Sequence, residues 1–308
     1  MVFVLIFSPL GLMAEEYGEK DFYFQKQIWI NDTETCQAVQ IDRDWLLTAA
    51  HCVAPFQKRP SCRIRVVIAQ GDFAQASTIV SCAEAVLPAP ILDRNRQPSL
   101  PFDLALIPFS PAEEDCEFHT IEGKEISADA FEDELGKDPI LRYQWDKRNT
   151  SSFPALYTYR SAKEKLLENV IIVPLWADGE FSSLGASSQI VYIGGKFPSL
   201  WSTRGFGVDH GNSGGAVAVV LPNHELGILG IVSAKSVNIM DDEMRQGISQ
   251  VLPGFEQAKE HFFFYGFADK DSLSFIKSVL RPRAVKKIRE VPVNLLEPQP
   301  ALKKIKAR

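Results

Sequence analysis

Between Phe22 and Phe109 the chain is cut into short apolar or alternating runs, QIWI, CQAVQI, WLLTA, RIRVVIAQ, STIVSCAEAVL and LALIPF. The pieces NDTE, DRD, QGD and DRNRQP, all rich in turn-forming residues, lie between them. Strands that follow one another at this spacing, with no helical stretch in between, predict an all-β barrel or sandwich rather than βαβ units. Similar runs resume after residue 168 with VIIVPLW, QIVYIGG, GGAVAVVL and LGILGIVSA, and the last two flank PNHE as a predicted hairpin.

From about Glu113 to Glu168 the composition turns charged and polar, and ISADAFEDELGKDP and RSAKEKLLEN read as short helices. This stretch reads as a seam between two β halves. A last helix is predicted in DKDSLSFIKSVL, with Asp269 or Asp271 as N-cap and Leu273, Phe275, Ile276, Val279 and Leu280 largely on one face. The expected divisions are a leader at 1–14, a first β half at 22–115, a connecting or inserted region at 116–168, a second β half with its helix at 169–280, and a basic tail at 281–308.

The net charge of -6 gives no general reason to expect nucleic acid as a partner. It is unevenly spread, because the segment from Arg281 to Arg308 has nine basic residues against Glu290 and Glu297. The tail reads as an extended arm, either solvated and covering its own acidic body or contacting an anionic surface. The first residues, MVFVLIFSPLGLMAEE, resemble the apolar stretch of a signal peptide with a cut after Ala14, or else a buried N-terminal strand. That run is too short to cross a bilayer comfortably. Asn31 and Asn149 open N-x-[ST] patterns.

Cysteines stand at 36, 52, 62, 82 and 116, without CxxC or CxxxC spacing, and the five histidines show no HExxH, so no metal site is expected. Disulfides in an exported chain are the more natural use. Cys116 is expected to be the odd, buried thiol, and Cys62 and Cys82, on neighbouring predicted strands, are placed where a bridge can form.

Three stretches carry chemistry. WLLTAAHC ends a strand in His51, a residue able to accept and donate a proton near neutral pH. DHGNSGGAV sets Ser213 among glycines, in a backbone able to turn sharply and expose both the hydroxyl and neighbouring N–H groups. PFDLALIPF opens an apolar strand with Asp103, whose carboxylate must find a partner, and an imidazole N–H is a suitable one. Asp93, in the turn LDRNRQ, is the second-ranked acid.

Together, WLLTAAHC, the DLAL strand and GNSGG, in that order, resemble the chymotrypsin-like (trypsin-like) serine proteases, over roughly residues 22–280 and at the level of motifs. The resemblance implies two packed six-stranded antiparallel β-barrels with a C-terminal helix. It implies Ser213 as nucleophile, His51 as general base and then acid, and Asp103 as the group that holds the imidazole. It implies an oxyanion hole from the N–H groups of Gly211 and Ser213, and a disulfide between Cys36 and Cys52.

Two departures from the family pattern matter. Asn212 stands where many members carry the Asp that receives a new N-terminal ammonium, and no basic residue precedes an IVGG-like start. The two fit each other, since an amide needs no buried counter-charge. The pattern is similar to bacterial and Deg-type members that fold directly into active form. Gly207 replaces the Asp that selects Arg or Lys, so trypsin specificity is not implied. The resemblance places the primary pocket at Gly207, His210, Ser233 and Lys235, where His210 and Lys235 either favour an acidic side chain or face solvent. The expected protein is a secreted or periplasmic serine endopeptidase acting on protein or peptide substrates without a cofactor. The competing reading is a catalytically silent, protease-like binding protein.

Overall fold

The computed structural model describes residues 19–92, 98–100, 102–109, 111–149, 153–158, 167–177, 180–192, 200–204, 211–220, 225–235, 261–266, 270–280 and 288–290. The expected leader, Asp93, Gly207, His210 and most of the basic tail lie outside these residues.

The first half contains β1 (Gln25–Ile30), β2 (Glu34–Asp42), β3 (Trp45–Thr48), β4 (Arg63–Gln70), β5 (Ala74–Ser81), β6 (Ile91–Leu92), β7 (Pro98–Ser99), β8 (Ala105–Pro108) and β9 (Glu117–Thr120). Seven of these form one antiparallel sheet in the order β8-β3-β2-β1-β4-β5-β9, and β6 pairs with β7 apart from it. Every strand-like run read from the first hundred residues lies in or overlaps this sheet. The addition is β9, which comes from the stretch read as a connector.

The second half contains β10 (Leu156–Thr158), β11 (Leu167–Ala177), β12 (Glu180–Tyr192), β13 (Leu200–Arg204), β14 (Ala216–Val220), β15 (Leu226–Lys235), β16 (His261–Gly266) and β17 (Ile288–Glu290). Eight strands run in the order β14-β11-β12-β13-β16-β15-β10-β17, with a further pairing of β14 to β15. That pairing is the hairpin expected around PNHE, and its ladder is antiparallel. The expectation was six strands per half; β10 and β17 enlarge this sheet by pairing in parallel, β10 with β15 and β17 with β10. Three residues of the basic tail are therefore part of a sheet.

Strands β2, β3 and β8 bury side chains on both faces, and period-two alternation sends neighbours into two different cores. Cys36, Ala38, Leu46, Ala105 and Ile107 join a first core inside the N-terminal half. Val39, Ile41, Leu47, Leu104 and Leu106 join a second core, whose other members include Ala216, Ile228, Ile231, Ile276 and Leu280 from the C-terminal half. Burying each Leu or Ile is worth about 1.5–3 kcal/mol. This second core therefore locks the segment that carries His51 and Asp103 to the one that follows Ser213.

The described residues also hold four α-helices, α1 (Ala50–Val53), α2 (Ala128–Leu135), α3 (Pro139–Lys147) and α4 (Lys270–Val279), and three short 3-10 turns. Helix α2 lies where ISADAFEDELGKDP predicts one, with Ser127 as N-cap accepting from the Ala130 N–H. The helical run read from the sequence ends at Asp138-Pro139 and misses α3. Here that pair is a start: the Asp138 carboxylate accepts from the Ile140 and Leu141 N–H groups, and Pro139 occupies the first turn, where it gives up no hydrogen bond. Phe131, Leu135, Leu141 and Trp145 pack into the first core with Phe118, whose ring stacks on Phe131 at 4.6 Å between centroids. In RSAKEKLLEN, residues 167–169 are strand, not helix. Helix α4 buries Ile276 and Leu280 in the second core, with Leu273, Phe275 and Val279 half-buried beside them.

Two disulfides tie the first half, Cys36 to Cys52 and Cys62 to Cys82, while Cys116 is a half-buried free thiol. Burial pushes the Cys116 thiol up to about 11, which keeps it protonated and unreactive at neutral pH.

Candidate active site

His51 sits in α1, the single helical turn that follows β3. Ala49 and Ala50 are fully buried before it, so small side chains let the strand turn sharply into the helix against the first core. Cys52, the next residue, is bonded to Cys36 on β2, which anchors the turn to the sheet. The imidazole itself remains 48% exposed.

Asp103 lies between buried Phe102 and Leu104, just before β8. Its carboxylate grips His51 twice. Oδ1 accepts from the His51 backbone N–H at 2.8 Å, and Oδ2 accepts from ring Nδ1 at 2.7 Å. Oδ2 also accepts from the Ser233 hydroxyl. Ser233 is free to do this because the β15 ladder with β16 shifts register between Val232 and Ala234. With Nδ1 as donor, the other ring nitrogen, Nε2, is the acceptor in the neutral imidazole.

The two groups shift each other's proton affinity. Burial alone pushes the Asp103 carboxyl up, but the hydrogen bond and charge of His51, with the Ser233 hydroxyl and the His51 N–H, hold it below its usual range. Burial pushes His51 down, and the hydrogen bond and charge of Asp103 outweigh it, leaving His51 above its ordinary value.

Ser213 projects from the turn 211–215, in which Gly211 has φ +90° and Gly214 φ +86°. The turn is fastened to the first sheet: the Gln37 N–H donates to the Ser213 carbonyl at 2.7 Å. It is fastened to the second as well, because the Gly214 N–H donates to the Val232 carbonyl at 2.8 Å and the Val232 N–H to that of Gly215 at 2.9 Å. The glycine at 214 is obligatory for a second reason. A Cβ there would lie 1.9 Å from the Gln37 carbonyl oxygen and 2.2 Å from Thr48 Oγ1.

The Ser213 hydroxyl donates to the Ser233 carbonyl at 3.3 Å, and no hydrogen bond joins it to His51. Ser233 thus touches both sides, its hydroxyl on Asp103 and its carbonyl on Ser213. Among the described residues the N–H groups of Gly211 and Ser213 have no acceptor, whereas Asn212 is buried and its carbonyl receives the Gly215 N–H. The turn can therefore present two donors beside one hydroxyl. Lys235 ends β15, and Gly207 and His210 lie outside the described residues.

Cys36, His51 and Cys52 place ligand-type atoms within 4.8 Å of one another, but both sulfurs are spent in the disulfide. No helix among the described residues is long and apolar enough to cross a membrane.

The residues that sequence reasoning overlooked are Gln25, Gln37 and Thr48, buried polar side chains packed on or under the serine turn. A detectable signal was present: QKQ and CQAVQ put glutamines at strand positions where apolar residues would be expected.

Residues 14–114 match the family model described as Trypsin. No curated protein matches the chain. Among solved structures, one of a Glu endopeptidase in complex with MPD is similar, at 14% identity over 83% of this chain and 90% of that chain, with a TM-score of 0.45. Over residues 14–114, which hold His51 and Asp103, the chain is similar to the trypsin family.

Proposed function

We propose that the protein is a serine endopeptidase that cleaves peptide bonds through an acyl-enzyme on Ser213. The observation that carries this reading is the two-point grip of Asp103 on His51, with Ser213 held nearby through Ser233. His51 Nε2 takes the Ser213 proton as the Oγ atom attacks the substrate carbonyl. The N–H groups of Gly211 and Ser213 hold the resulting oxyanion, and His51 then returns the proton to the leaving amine. A water molecule repeats the sequence to release the acid and restore the Ser213 hydroxyl. For this the hydroxyl must rotate from the Ser233 carbonyl toward His51, a change of one side-chain torsion.

The same proposal takes each half as a barrel. The β14–β15 pairing brings the second sheet's order back to its first strand through β11, β12, β13 and β16, which supports six strands in that barrel. Ser233 to Lys235 on β15 offer backbone for an extended substrate strand, with Gly207 and His210 as the remaining pocket residues. A secreted or periplasmic location is proposed on the two disulfides.

A peptide library incubated with the purified protein tests the reading. Defined cleavage products are expected with the wild type and none with Ser213→Ala. A set of products unchanged by that substitution would remove Ser213 as the nucleophile. Enrichment of Asp or Glu before the cut would assign His210 and Lys235 to the pocket, and any other preference would place them in solvent.

A further inference from the structure

We infer that Gln25 and Gln37 form a buried amide pair that positions the Ser213 turn, an inference that rests on Ser213 as the nucleophile. Both lie on the first sheet, Gln25 on β1 and Gln37 on β2, and they are 4% and 1% exposed. The Gln25 Nε2 donates to Gln37 Oε1. The Gln25 Oε1 accepts from the Ala216 N–H at 2.9 Å, three residues after the serine. Gln37 adds its own backbone N–H to the Ser213 carbonyl at 2.7 Å, and its carbonyl is fixed in turn by the Thr48 hydroxyl at 2.6 Å. The turn is thus held at Ser213 and at Ala216 from one sheet, the sheet whose β3 leads into His51.

Shape reinforces the bonds. A Cβ at Gly215 would stand 2.9 Å from Gln37 Oε1 and 3.4 Å from Gln25 Nε2, so the amides press on the backbone they hold. The arrangement carries a cost. Gln37 Nε2 is buried with no hydrogen-bond partner, a loss that two apolar side chains of similar volume would avoid. What apolar side chains would lack is an acceptor aimed at the Ala216 N–H. Because both amides act through the turn and touch no substrate, they are positioning residues.

The test compares wild type, Gln25→Met, Gln37→Leu and Gln25→Glu, each corrected for its folded fraction. Gln25→Met removes the acceptor, and kcat is expected to fall roughly ten- to a hundredfold with KM unchanged, as for a misplaced nucleophile. Gln37→Leu keeps the Gln25–Ala216 bond and should lose less. Gln25→Glu should restore kcat to within a few-fold of wild type. Its carboxyl accepts from Ala216, and the Gln37 amide can turn to donate through the nitrogen that is now without a partner.

Hydrogen exchange over residues 213–217 is read alongside, and is expected to be at least tenfold faster in Gln25→Met than in wild type or Gln25→Glu. An unaltered kcat and unaltered exchange in Gln25→Met overturns the inference, as does a loss that Gln25→Glu does not repair. If the wild type itself shows no hydrolysis, the nucleophile reading fails on its own. The exchange comparison then still decides whether the amide pair holds the turn.

Discussion

Asp103→Asn is expected to lower kcat about ten-thousandfold while the protein stays folded. The carboxylate receives two bonds from His51, and an amide can keep only part of that pattern. An Asn side chain that turns its NH2 toward Nδ1 stabilises the tautomer in which Nδ1 is the acceptor and Nε2 carries the proton. Nε2 can then no longer act as a base toward Ser213.

The pH dependence shifts with it. Activity requires neutral His51, and Asp103 holds that proton more tightly than usual, so wild-type kcat/KM should rise as pH climbs through a value above 6.5. Removing the charge and the acceptor leaves burial unopposed, and the residual activity of Asp103→Asn should rise at a lower pH than that of wild type. Initial rates on a cleaved peptide, measured across pH for both proteins, check both points. A modest loss with an unmoved profile would mean that Asp103 only caps the turn.

The second large effect is on stability. Gly214→Ala is expected to cost about 3 kcal/mol or more, a substantial share of the roughly 5–15 kcal/mol that holds a typical domain. Two causes add. An alanine at φ +86° pays about 1–2 kcal/mol for the left-handed backbone, and its Cβ would sit 1.9 Å from the Gln37 carbonyl oxygen, where backbone cannot yield cheaply. Gly123→Ala separates the two, since Gly123 has φ +84° with nothing within 4 Å of an added Cβ. Denaturant midpoints of the two variants should therefore differ by the steric cost alone. Equal losses would show that the serine turn is not pressed against β2.

The runs around β2, β3 and β8 were legible because each alternates between two cores, and that alternation is written in the sequence. WLLTA and LALIPF each give up one set of residues to the first core and the other to the second. Helix α3 was hidden because a proline after an aspartate marks both a break and a helix start, and only the packing of Leu141 and Trp145 decides between them. EFHT, LWSTR and HFFFYG were missed as strands for a different reason. They are short or lack alternation, and their pairing is set by partners far away in the chain, such as β5 for β9.

At the site, the motifs pointed to His51, Asp103 and Ser213, and the structure brings His51 and Asp103 into direct contact. What the motifs could not supply was the support around them. The bond from Ser233 to Asp103 depends on a bulge, and the Gln25–Gln37 pair depends on strand register, neither of which is visible in residue order.

The most direct measurement is labelling of the purified full chain with a fluorophosphonate probe, followed by identification of the modified residue. Wild type should carry the label on Ser213, and both Ser213→Ala and His51→Ala should lose it, because the hydroxyl reacts only when a base takes its proton. A folded wild type that stays unlabelled, or a label that persists in His51→Ala, would contradict an activated serine and leave a protease-like fold that binds without cleaving.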